Sequence, residues 1–174
     1  MSTLSKQSAL VVGASSGIGR DIARLFASEG ARVVAAARRL DRLHSLQQEM
    51  ASQKKQVEIV QADASRLEDM ERLGRDTVSK FGRLDILVYA AGTNTPERAL
   101  ARLNPEIWTS LIEVNLNGAF YITHAVLPYM RQAKSGHLIF IASISGLLAD
   151  VSGAAYQPSK RGLVALAHAI RVEE

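Results

Sequence analysis

Ala9-Leu10-Val11-Val12-Gly13-Ala14-Ser15-Ser16-Gly17-Ile18-Gly19 is the stretch that decides the fold of this chain. It opens with an uninterrupted apolar run that stops at Gly13. Such a run fits a strand buried on both faces, as in a parallel sheet. Ile18, Ile22, Leu25 and Phe26 then recur at helical spacing, and Gly30 is placed to end that helix. The stretch therefore predicts strand, glycine-rich turn and helix in direct succession, the context in which such a turn cradles a dinucleotide. Gly13 permits the tight turn, and Gly17 and Gly19 allow close approach of a pyrophosphate and of helix to sheet. The helix N-terminus offers free N–H groups to phosphate, and Ser15 and Ser16 add hydroxyl donors. The expected contacts are thus Gly13, Ser15, Ser16, Gly17, Ile18 and Gly19. An ordinary glycine-rich turn has the same composition, so the assignment leans on the rest of the chain.

The alternation continues downstream. Arg32 to Ala37 reads as a second strand, and Leu40, Leu43, Leu46 and Met50 as the next helical stripe. Val57 to Val60 is a third strand, and Leu67, Met70 and Leu73 lead a helix towards Phe81-Gly82. Leu84 to Ala91 is a fourth strand. Asn104-Pro105 is a cap followed by proline in the first turn of a long helix that continues towards Met130. His137 to Ala142 is a fifth strand, and a last helix begins around Ala154. No repeat, low-complexity segment or linker intervenes. The prediction is an α/β fold, a Rossmann-type doubly wound parallel sheet with its ligand at the carboxyl ends of the strands. One domain is expected over residues 1–174. Leu163, Leu166, Ala167 and Ile170 are still in helical period where the sequence stops at Glu174, with no cap, glycine or proline. Strand five, apolar on both faces, would lie on an edge of a kind normally covered or paired. The expectation is that the sequence ends within the helix after strand five, and that a further segment or a partner covers this edge.

Composition narrows the function classes. With 174 residues, 47% of them hydrophobic, the chain is long and apolar enough for a real core. Cys is missing, so disulfides and thiolate metal sites are excluded. His44, His124, His137 and His168 show no metal-ligand spacing, and no metal is expected. Charged residues interrupt every candidate membrane span, and Met1 to Ser8 is too polar for a signal peptide. The net charge of +4 comes from interspersed signs, which reads as solvated surface rather than a nucleic-acid footprint. A soluble cytoplasmic enzyme, with neither nucleic acid nor membrane as partner, is expected.

Several residues then carry chemistry. NAD sites place an acid about 20 residues after the glycine turn, on the ribose 2′-OH. Here Ala36-Ala37-Arg38-Arg39 offers no acid and two guanidinium groups, which suit a 2′-phosphate. NADP is favoured over NAD, against the reading of Arg38 and Arg39 as solvent-facing loop residues. Asp63, with Ala64 beside it, follows strand three and fits either an adenine contact or a turn acid. Asn115 and Asn117 lie in a helical run beside Gly118, where Asn is a poor interior residue. They mark either a tolerant surface or a local break that frees a carbonyl to hold a water. Ser143 follows strand five, with Ser145 as competitor. Tyr156 and Lys160 lie one helical turn apart, so a phenol and an ammonium can share a pocket. The cation favours the phenolate, which suits Tyr156 to proton exchange. A lone Tyr-x-x-x-Lys is common by chance. Its position after Ser143, in a chain with this glycine turn, gives it weight.

In these residues the chain resembles the short-chain dehydrogenase/reductase family, in order and over essentially all 174 residues. Gly13-x-x-x-Gly17-x-Gly19 looks like its cofactor turn, Asp63 like its adenine-contacting acid, and Val114-Asn115 like its helix-four Asn. Ser143, Tyr156 and Lys160 match its catalytic set, and Arg38 the position that marks NADP preference. The resemblance implies hydride transfer between NADP(H) and an alcohol or carbonyl. Tyr156 would be the general acid/base and Ser143 would hold the substrate oxygen. Lys160 would serve both the phenol and the nicotinamide ribose, and Asn115 would position a water that links Lys160 to solvent. Two departures stand out. Tyr89-Ala90-Ala91-Gly92 replaces the family's frequent Asn-Asn-Ala-Gly, though Ala91 and Gly92 keep close backbone approach to the cofactor. The expectation is also that the family's C-terminal strands and substrate-binding segment are not found within residues 1–174.

A dinucleotide-binding scaffold without a complete substrate site is the competing expectation, and a lyase-like chemistry on the same fold a weaker one. The substrate is a small alcohol or carbonyl of unspecified identity, with Thr93, Asn94, Leu147, Leu148, Val151 and Gln157 as candidate pocket residues. Trp108, Leu111, Ile112, Val114, Leu116, Phe120, Ile122 and Val126 put apolar residues on more than one face of the long helix, and Leu163, Leu166 and Ile170 do so on the last one. A homodimer or homotetramer, packed through that helix and the last one, is expected.

Overall fold

Ser8–Val12 (β1) is the central strand, buried along its whole length. It pairs in parallel with Arg32–Ala37 (β2) on one side and with Ile86–Tyr89 (β4) on the other. Val57–Gln61 (β3) extends the sheet beyond β2, and His137–Phe140 (β5) beyond β4. The order is β3-β2-β1-β4-β5. Consecutive strands run outward from β1 in one direction and then restart beside it in the other. The crevice at the carboxyl ends of β1 and β4 is therefore the topological switch point, where such sheets bind ligands. In this computed structural model the described residues are 3–174. Met1 and Ser2, part of the segment too polar for a signal peptide, lie outside the described residues.

The helices are Gly17–Ser28 (α1), Leu40–Ser52 (α2), Leu67–Phe81 (α3), Pro105–Ile112 (α4), Gly118–Ala133 (α5) and Tyr156–Glu173 (α6). Alternate strand residues point to opposite faces. Ala9, Val11, Val33, Ala35 and Val88 meet α1 and α2 through Ala23, Ala27, Leu43, Leu46 and Met50. Leu10, Val12, Val34, Leu87 and Tyr89 meet α3, α5 and α6 through Met70, Leu73, Ile122, Val126 and Leu163. Among the described residues no helix is long and apolar enough to cross a membrane.

The buried stripe of α1 is Gly19, Ala23 and Ala27, whereas Ile18 and Leu25 are exposed. The glycine turn sets α1 so close to the sheet that its fully buried positions are small, while Ile22 and Phe26 pack partly buried against the same core. The expectation of one long helix towards Met130 is corrected, because the helix is not continuous. Asn104 caps α4 by accepting from the Glu106 N–H, with Pro105 at the first position, as expected. A π-helical turn over Glu113–Asn117 then separates α4 from α5. Strand five is on an edge as expected, but His137 and Ile139 on one of its faces are exposed.

Candidate active site

The glycine turn joins β1 to α1 at the switch point. Gly13 sits at φ +91°, and a Cβ there would lie 2.6 Å from the Ala90 carbonyl carbon. Turn and β4 end thus touch through backbone, and the N–H groups of Gly13 and Ala14 both bond to Ala36 O at the end of β2. The Ser16 side chain does not cap α1. Arg39 instead crosses the turn, its Nη2 donating to Ser15 Oγ at 3.0 Å and Ser16 Oγ at 2.6 Å. Arg38 is exposed at the same rim. Asp63 accepts from the N–H and the hydroxyl of Ser65, a turn arrangement that engages Oδ1. A continuous cleft runs past these residues. Gly13, Ser15, Ser16, Arg38, Arg39, Asp63, Ala64, Ala91, Gly92 and Val114 all line it. Ile18, exposed at the start of α1, does not.

The cleft leads to a second cluster beyond β4. Asn115, fully buried in the π turn, accepts from the Thr93 N–H at 2.7 Å. Its Nδ2 donates to Thr93 O and to Ser159 Oγ, both at 2.9 Å. Ser159 in turn donates to the Tyr156 carbonyl at 2.7 Å. Lys160 is buried, and its Nζ donates to Ile141 O at 2.9 Å and lies 5.8 Å from the Tyr156 ring centroid. Burial holds the Lys160 ammonium below the ordinary lysine range. A Cβ at Gly92 would stand 3.4 Å from Lys160 Nζ and 3.5 Å from Asn115 Oδ1, so the glycine leaves that corner open. Four separate segments converge here: the loop after β4, the π turn, the end of β5, and α6.

Ser143 lies just past β5 and precedes a short 3-10 turn over Ile144–Gly146, which packs on α6. Its hydroxyl is 3.1 Å from Ser145 Oγ, and Ser145 Oγ is 2.5 Å from Asp150 Oδ2. The hydrogen bonds from Ser145 and then Ser152 hold the Asp150 carboxyl below its usual range. Gln157 donates to the Asp150 carbonyl, and Asn94 to Ser152 O, so the loop after Ser143 is tied to α6 and to the segment after β4. Leu147, Leu148 and Val151 project from this loop into solvent. The structure therefore groups Thr93, Asn115, Tyr156 and Lys160 directly, with Ser143 on the adjoining turn. Ser159 and Asp150 were missed by the sequence reading. Ser159 was visible inside the Tyr156–Lys160 motif, but only the fold shows what its hydroxyl joins.

Comparison with known proteins closes the question of family. A model of short chain dehydrogenases matches residues 7–174. The chain belongs to the short-chain dehydrogenase family. It is 36% identical over 174 residues to an uncharacterised oxidoreductase of Staphylococcus saprophyticus, and spans 70% of that protein. It is 36% identical over 164 residues to a 3beta-hydroxysteroid dehydrogenase 2 of Eggerthella lenta, covering 94% of this chain and 63% of that one. Among solved structures, a metagenomic short-chain oxidoreductase in complex with NADP superposes with a TM-score of 0.93 at 37% identity, over 98% of this chain and 77% of that one. A variant of actinorhodin polyketide ketoreductase with NADPH superposes at 0.92 and 34% identity, over 99% of this chain and 67% of the other.

Proposed function

We propose that this short-chain dehydrogenase interconverts a small alcohol and its carbonyl with NADP(H). The observation that carries the reading is Lys160. A buried ammonium is costly without a carboxylate partner, and among the described residues Lys160 has none and donates to the Ile141 carbonyl. Such a charge is retained for what it does, and it stands beside the Tyr156 phenol at the open corner made by Gly92.

The donor set of the cleft suits NADP. Ser15, Ser16, Arg38 and Arg39 gather at one end, and Ala37 puts no carboxylate at the end of β2. Gly13, Ala91 and Gly92 give the backbone approach that a dinucleotide needs. Ser15, Ser16 and the turn through Gly19 would hold the pyrophosphate, the arginines the 2′-phosphate, Asp63 and Ala64 the adenine, and Lys160 the nicotinamide ribose. The bound nicotinamide supplies or accepts the hydride. Tyr156 gives or takes the proton of the substrate oxygen, and Ser143 hydrogen-bonds that oxygen. Lys160 stands beside the Tyr156 ring, and Asn115 orders a water that links Lys160 to solvent. Domain extent over residues 1–174 and a cytoplasmic location are part of the same proposal.

The test is carbonyl reduction by the protein expressed from its complete coding sequence. Tyr156→Phe should abolish turnover and leave NADPH binding nearly intact, and Lys160→Ala should impair both. Substantial turnover in Tyr156→Phe would remove the acid/base assignment.

A further inference from the structure

Tyr89 ends β4 and is fully buried. Its hydroxyl donates to the Val114 carbonyl, inside the π turn that carries Asn115. The geometry of that turn explains the need. The Gly118 N–H bonds to Glu113 O, five residues back, so Val114 O loses the partner an α-helix would give it. The phenol is a donor placed where the helix ladder has a gap. Burial, and then the Asp63 charge, raise the Tyr89 phenol above the tyrosine range, which keeps it protonated.

Space confirms the pairing. A Cβ at Gly118 would collide with the Tyr89 hydroxyl and with the Ala64 carbonyl oxygen. Gly118 is therefore the notch through which the phenol reaches the turn. Asn115 comes directly after Val114, and its three hydrogen bonds to Thr93 and Ser159 depend on the rotation of that turn about the helix axis.

We propose that Tyr89 is a positioning residue: through Val114 it holds the π turn in the register that aims Asn115 at Thr93 and Ser159. Its effect on catalysis rests on the role of Asn115 in the proposed function. The Tyr89–Val114 bond itself does not. This link offsets the departure of Tyr89-Ala90 from Asn-Asn, since a side chain at the end of β4 still fastens the sheet to the helix beyond it.

Tyr89→Phe keeps the ring and removes only the donor. Amide hydrogen exchange, read by NMR, separates the parts. The Thr93 amide and the amides of 113–118 should exchange about tenfold faster in Tyr89→Phe, while α1 and α2 stay as in the wild type. 4-Aminophenylalanine at 89 should restore protection, which marks the hydrogen bond rather than packing as the cause. It also carries the test, by comparison with the wild type, if the Phe variant does not fold. In the complete protein, kcat should fall about tenfold with KM for NADPH unchanged, and Tyr89→Phe should add nothing to Asn115→Ala. Unchanged exchange at Thr93 overturns the proposal. So does a kcat loss that adds fully to that of Asn115→Ala. If no turnover is found in the wild type, the proposed function fails, and exchange at Thr93 still decides the role of Tyr89.

Discussion

Arg38 and Arg39 are adjacent in sequence but differ in what they touch. Arg39 is already joined to Ser15 and Ser16 across the turn, whereas Arg38 lies exposed at the rim. Neither faces a competing acid at Ala37. NADPH should therefore bind at least about tenfold more tightly than NADH, roughly 1.4 kcal/mol. Fluorescence titration with each cofactor measures this, and Arg38→Asp should narrow or reverse the ratio. Equal affinities in the wild type would remove the argument. Lys160 gives a second residue-level expectation. Its folded-state affinity for a proton is lowered by burial. Between that lowered value and the ordinary 10.5, the unfolded chain binds the proton and the folded one does not, so stability rises with pH through that window. Urea midpoints at pH 7 and pH 10, compared with Lys160→Met, should show the wild type gaining on the variant at the higher pH. A gap independent of pH would mean that Lys160 titrates as it does in the unfolded chain. Both arginines and Lys160 were legible in sequence by type and position. The Lys160 bond to Ile141 was not, because it joins residues from separate elements.

The elements were read more reliably than their faces. All five strands and the turn after β1 were visible, because uninterrupted apolar runs have few other uses in a chain this charged. The buried face of α1 is not set by its largest apolar residues. Large apolar residues at helical spacing look like a core stripe, but a helix pressed onto a sheet by a glycine turn puts its smallest residues inward. Gly19, Ala23 and Ala27 do so here. Ala23→Leu should therefore overpack the contact and cost about 1–3 kcal/mol, read as a lowered urea midpoint. Leu25→Ala, on the exposed side, should leave the midpoint almost unchanged. If Leu25→Ala were the more damaging change, the orientation of α1 would be wrong. The break near Asn115 was legible as a break, since Asn-Leu-Asn-Gly is a poor helix interior. Its π form was not, because that depends on Tyr89 and Gly118 meeting across a long sequence separation.

At the scale of the molecule, one apolar surface has no cover within the described residues. Phe120, His124 and Pro128 recur every fourth residue along α5 and are all exposed. Phe120 is 50% exposed, and its ring stands 5.7 Å from that of His124. Trp108 on α4 is exposed as well. Leu111, Val114, Ile122 and Val126, counted in sequence with the same surplus, are buried and belong to the core. The surface is thus narrower than the sequence implied, but it is aromatic, and aromatic surface favours association. A two-fold arrangement places the same helix of each subunit against its copy, which covers the strip with itself. Light scattering at micromolar concentration should give the mass of a dimer or tetramer. Phe120→Glu should shift that mass towards the monomer, because it sets like charges against each other across the axis while leaving the core untouched. A wild type that is monomeric and stays in solution would show that the α5 strip is covered within one chain, and the assembly argument would fall.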